Sequence, residues 1–121
     1  GQGLYLSSTF GYGTGTGGTV TQLTSKSTAV TLNKPTGVIT MINTALAANT
    51  TVSFALNNSY IAATDMVLVQ LTNVSLTSGG YQVWLQGLGI GQATINVRNI
   101  TAVSLSEAVA IRFMVIKGIS A

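Results

Sequence analysis

The segment Thr50–Asn57, TTVSFALN, alternates apolar and polar side chains one by one. Val52, Phe54 and Leu56 fall on one side of an extended chain, and Thr51, Ser53 and Ala55 on the other. Successive side chains of extended backbone point to opposite faces, so period two marks a strand with one buried face. The same rhythm predicts strands at 19–23, 29–33, 38–42, 66–71, 81–86, 93–98 and 108–117. Val30 and Leu32 share a face, as do Ile95 and Val97, while Tyr81, Val83 and Leu85 alternate with Gln82, Trp84 and Gln86. In the last segment Val109, Ile111, Phe113 and Val115 alternate against Arg112 and Met114. Residues 66–71 are nearly continuous apolar, which suits a strand covered on both faces or lying at an interface. Turn signals separate the segments. In Lys34-Pro35-Thr36-Gly37 the proline pre-sets its dihedral and the glycine admits positive φ. Asn57-Asn58-Ser59, Thr77-Ser78-Gly79-Gly80 and the glycine-punctuated 87–91 also break the rhythm. About eight short strands at this spacing predict an all-β fold, an antiparallel β-sandwich or jelly roll. Two stretches dissent. Residues 45–48 allow a helical turn, and Ser104-Leu105-Ser106-Glu107 fits a capping box, read here as a tight turn before the last strand.

Residues 1–18 differ from the rest. They hold seven of the fourteen glycines, interspersed with Tyr5, Phe10 and Tyr12. Glycine raises the entropic cost of ordering, so this segment is not expected to fold alone. The aromatics argue against a plain spacer. The chain therefore divides into a Gly-rich N-terminal arm, 1–18, and a sandwich domain, 19–121. The arm is expected to dock through Leu4, Tyr5, Phe10 and Tyr12. The alternative is a frayed terminus with incidental aromatics.

Charge narrows the function. There are five Lys and Arg, two Asp and Glu, no His and no Cys, so 6% of residues are charged against about 25% in ordinary domains. Zinc fingers, disulfides, thiol nucleophiles and His-based triads are excluded. Two carboxylates, Asp65 and Glu107, do not build a calcium cage. No cofactor, metal or catalytic residue is expected. A folded monomer of 12.4 kDa exposes roughly 6,000 Å², about one charge per 900 Å². Such a sparse coat suits a chain packed against neighbours, and a homotrimer is expected. The alternative is a monomer with a neutral polar coat. The net charge of +3 is no nucleic-acid footprint, because Lys26, Lys34, Arg98, Arg112 and Lys117 are scattered rather than clustered. No run of about 18 apolar residues exists to span a membrane as a helix. No basic stretch leading into an apolar one opens the chain, so a signal peptide is not expected.

Several motifs have bland explanations. Residues 13–18 match G-x-G-x-x-G, but no strand precedes them, the next segment alternates as a strand, and no acid follows near residues 33–40. Asp65 and Glu107 are the sole candidates for a glycosidase-type acid pair. Asp65 sits at an ordinary turn position, and capping or pairing with a cation accounts for Glu107. Lys26 lies between Ser25 and Ser27 without Ser-x-x-Lys spacing, and reads as a solvated or interfacial charge. The sequons at Asn49, Asn57, Asn73 and Asn99 mark exposed turns. Trp84 reads either as an outward contact anchor or as part of a second core layer.

The stretch GTGTGGTVTQLTSKSTAVTLNK (13–34), then PTGVITM, NNSYIAATD and the closing SLSEAVAIRFMVIKG, resembles small all-β virion proteins of tailed bacteriophages. The likeness runs over roughly residues 13–118. It implies a structural component of the virion without catalytic machinery. The role that fits best is an outer capsid decoration (cement) protein, bound to the major capsid protein and to copies of itself on the capsid exterior. Trimers on the lattice and a Gly-rich arm clamping a neighbour match that role. The alternative is a head-fibre, knob or tail-fibre module that binds a host receptor or glycan. The protein-interface candidates are Leu4, Tyr5, Phe10, Tyr12 and Trp84.

Overall fold

The structure is a computed structural model that describes residues 8–118. The expected alternation appears as ten strands and, among the described residues, no helix. In chain order they are β1 (Gly17–Thr21), β2 (Val30–Thr31), β3 (Thr36–Thr40), β4 (Ala45–Leu46), β5 (Thr50–Asn57), β6 (Met66–Leu71), β7 (Tyr81–Gly89), β8 (Gln92–Asn99), β9 (Leu105–Ser106) and β10 (Ala110–Ile116). Two four-stranded sheets carry the fold. Sheet A has the order β1-β3-β10-β6 and sheet B the order β2-β5-β8-β7, while β4 and β9 form a small ladder at one end.

The two sheets share one core. Sheet B contributes Phe54 opposite Ile95, the partly buried Val52 opposite Val97, and Leu56 opposite Ala93. Sheet A contributes Ile39, Ile111, Phe113, Val115 and Val67. Each large apolar side chain so buried stabilises the fold by about 1.5–3 kcal/mol. β10 sits between β3 and β6, which explains its unbroken run of β-branched and aromatic residues on the inner face.

Several local expectations are corrected. The sheets are not wholly antiparallel: β1 pairs with β3, and β2 with β5, in parallel. Residues 45–48 form no helical turn, because β4 pairs antiparallel with β9, which also replaces the tight turn expected at 104–107. Gly17 and Gly18 belong to β1 rather than to a free arm. β7 runs on through Gly89 past a bulge at Gln86, so the bend comes only at Ile90-Gly91, where Gly91 has φ +71°.

Gly37 needs no positive φ. It lies within β3, and a Cβ there would stand 2.6 Å from the Gly18 carbonyl oxygen and 2.8 Å from Leu32 Cδ2. The glycine is required by close approach of two backbones. Nor is β6 covered on both faces: Met66 and Leu68 are exposed while Val67 is buried. Asn99 is no exposed turn residue. It is fully buried, donating from Nδ2 to the carbonyls of Leu46 and Val103 and accepting from Thr101 N and Oγ1.

Candidate functional site

The charged residues fall into two groups. The first group locks loops. Ser25 N donates to Leu23 O across Thr24, whose φ is +70°. This positive-φ γ-turn is strained for a β-branched residue, and it turns Lys26 inward. Lys26 is only 4% exposed, which overturns its reading as a solvated or interfacial charge. Its Nζ donates to the Ile42 carbonyl at 2.5 Å and the Glu107 carbonyl at 2.8 Å. Gln22 closes the loop beneath it by donating to the Lys26 and Thr28 carbonyls. Burial lowers the Lys26 pKa, and the nearby Glu107 carboxylate partly opposes that. Glu107 itself accepts from Thr77 N and from the Tyr81 hydroxyl.

At the other end of β10, Asp65 accepts from Lys117 Nζ at 2.5 Å, Ala62 N at 2.8 Å and Gly118 N at 3.1 Å. The Lys117 hydrogen bond comes first among the causes that hold its carboxyl below the usual range. Asp65 and Glu107 therefore flank opposite ends of a seven-residue strand, about 20 Å at 3.3 Å per residue. That separation exceeds what a glycosidase pair spans.

The second group, Lys34, Arg98 and Arg112, lies on the outside. Arg112 belongs to the outer face of sheet A. Beside it β6, whose far edge is unpaired among the described residues, presents Met66 at 61% and Leu68 at 51% exposure. Met114 lies opposite Leu68 and Ile116 opposite Met66 on the same face. Here the arm arrives. The Tyr12 hydroxyl donates to the Val115 carbonyl. Phe10, Gly11 and Tyr12 line a shallow hollow with Met114 through Lys117, and Phe10 stays 62% exposed.

Of the interface candidates, Leu4 and Tyr5 lie outside the described residues. Phe10 and Tyr12 meet at the β10 end of sheet A. Trp84 is 39% exposed on the outer face of sheet B, the other side of the sandwich, so these aromatics do not form one site. Met66 and Leu68 were absent from the candidates. Their signal was the nearly continuous apolar run, which fits a two-sided core strand as well as an interface strand.

Trp84 stands opposite Asn96 of β8. Asn96 in turn lies opposite Ser53 of β5 and shares a 2.6 Å hydrogen bond with it. Arg98, one step along the same face, donates from Nη1 to Thr51 Oγ1 at 3.2 Å. Comparison with protein-family profiles, curated proteins and solved structures found no match to this chain.

Proposed function

We propose that this chain is a structural virion protein, an outer capsid decoration protein that acts by binding and not by catalysis. It binds the capsid lattice and copies of itself, as a homotrimer, through the outer face of sheet A. In this reading the sandwich is of jelly-roll type, and the Gly-rich arm extends from it to clamp a neighbour. The observation that supports the reading is the apolar strip of Met66, Leu68, Met114 and Ile116 at the β6 edge of sheet A, an edge unpaired among the described residues and reached by Phe10. Among the described residues two cations accompany it, Arg112 on the face and Lys117, paired with Asp65, at the hollow. An apolar strip on an unpaired strand edge invites association when left open to water.

The test is binding of the purified protein to capsids that lack it, together with its copy number in purified virions. Saturable binding, and a copy number on the scale of the major capsid protein, are expected. A few copies per particle, or no binding, overturns the proposal.

A further inference from the structure

We infer that the outer face of sheet B binds an acidic oligosaccharide, with Trp84 stacking on a sugar ring and Arg98 pairing with a sugar carboxylate. The carrying observation is the placement of an exposed tryptophan beside an arginine that has no acidic partner among the described residues, on a face of amides and hydroxyls. Across an antiparallel pair, opposed residues lie about 5 Å apart and diagonal ones about 7–8 Å. Trp84 and Asn96 are opposed, and Trp84 and Arg98 are diagonal. A sugar resting on the indole therefore has the Arg98 guanidinium within reach.

The chemistry is selective. An indole carries negative charge on its faces, which attracts the polarised C–H groups of a pyranose. Sugar hydroxyls donate and accept, so they suit amides and hydroxyls better than they suit aliphatic groups. Arg98 gives one N–H to Thr51 and has four more in a planar fork that matches a carboxylate. The single ion pair among the described residues joins Lys117 to Asp65, so among them no acid neutralises Arg98. Asn96 is only 6% exposed and accepts the Ser53 hydroxyl, so it forms the floor of the face, while Thr51, Ser53 and Gln82 are its exposed polar groups beside Arg98. A nucleic acid would need several clustered cations, and this face holds one. Binding here does not depend on the role proposed for sheet A. Only the outward direction of the face, with sheet A against a particle, rests on that role.

Trp84 is the only tryptophan, so its indole N–H gives a single, site-specific resonance. The experiment titrates 15N-labelled full-length chain with hexagalacturonate, 3′-sialyllactose and a mannuronate hexamer, and with neutral maltohexaose. At least one acidic probe is expected to shift the Trp84 indole and the backbone of β7 and β8 around it. Maltohexaose is expected to bind at least about tenfold more weakly, the scale of one lost charge-assisted contact. Trp84→Ala and Arg98→Gln should each weaken binding by about tenfold or more. Arg98→Gln, on an outer face, keeps the fold, and Trp84→Phe should retain partial affinity. No shifts with any acidic probe at millimolar concentration, shifts centred elsewhere, or equal affinity for maltohexaose would overturn the proposal. Failure to bind capsids would leave this result untouched.

Discussion

Lys26 ties two distant loops together through Glu107. Its ammonium donates to the Glu107 main-chain carbonyl at 2.8 Å, and the Glu107 carboxylate accepts the Tyr81 hydroxyl at 2.9 Å. Lys26→Met keeps most of the packing volume but removes one of the two donors to each carbonyl, leaving Ile42 O with Thr44 N and Glu107 O with Val109 N. A hydrogen bond from a charged donor contributes about 1.5–3 kcal/mol, partly offset here because methionine carries no buried charge. The variant should lose roughly 1–2 kcal/mol by urea denaturation, beyond an exposed-lysine control such as Lys34→Met. Equal effects would deny Lys26 its role as a lock.

Stability should fall at both pH extremes for different reasons. Asp65 is held below its ordinary 3.8, chiefly by Lys117. Below about pH 5 the unfolded carboxyl takes up a proton before the folded one does, so stability drops as pH falls. Tyr81 is pushed above its ordinary 10.0 by burial and then by Glu107. Above about pH 10 the unfolded phenol ionises first, and stability drops as pH rises. Lys26 acts oppositely: its lowered pKa makes its contribution rise with pH until about 10.5. Melting temperatures from about pH 3 to 11 should show Asp65→Asn flattening the acid limb. Tyr81→Phe should flatten the alkaline limb and unmask the Lys26 rise.

Gly37→Ala should destabilise by about 1–3 kcal/mol, the usual cost of overpacking. The new methyl meets backbone 2.6 Å away rather than a flexible side chain. Gly89→Ala has open space around it, and should change stability by less than about 0.5 kcal/mol. A neutral Gly37→Ala by thermal melt would show that β1 and β3 can separate at little cost.

Leu68→Lys places a charge in the centre of the exposed strip on β6. Light scattering should find the wild type trimeric and the variant monomeric, with melting temperature nearly unchanged because Leu68 is outside the core. A monomeric wild type at micromolar concentration would exclude the free trimer and confine assembly to the capsid surface.

Removing residues 1–12 deletes Phe10 and the Tyr12 hydroxyl bond to Val115. That bond contributes about 0.5–1.5 kcal/mol, so the truncated chain should still fold by circular dichroism. Its binding to capsids lacking the protein should weaken. Equal binding by truncated and full-length chains would exclude a clamping arm.

The alternation of Thr50–Asn57 and of residues 108–117 was enough to declare strands and their buried faces. Side-chain direction along extended backbone is a local property, so Phe54, Leu56, Ile111 and Phe113 face inward as their spacing demands. Pairing is not local. That β1 runs parallel to β3, and that Gly37 must therefore be glycine, follows from which strands meet. Lys26 between two serines carries every local sign of a solvated residue. It is buried because acceptors from residues 42 and 107 converge on it. Asn99 looks like a turn asparagine, yet Leu46, 53 residues away, takes one of its amide hydrogens. An apolar run such as Met66–Leu71 states that its residues avoid water, but not what covers them. Sheet order decided that, by setting β6 at an edge with one face on the core and the other open. Trp84 likewise was legible only as outward or buried. Its neighbours Asn96, Ser53 and Arg98 come from β8 and β5, and only sheet register brings them together. Spacing along one strand determines the face of a side chain, whereas its surroundings come from other strands, whose placement is settled by burying the whole core at once.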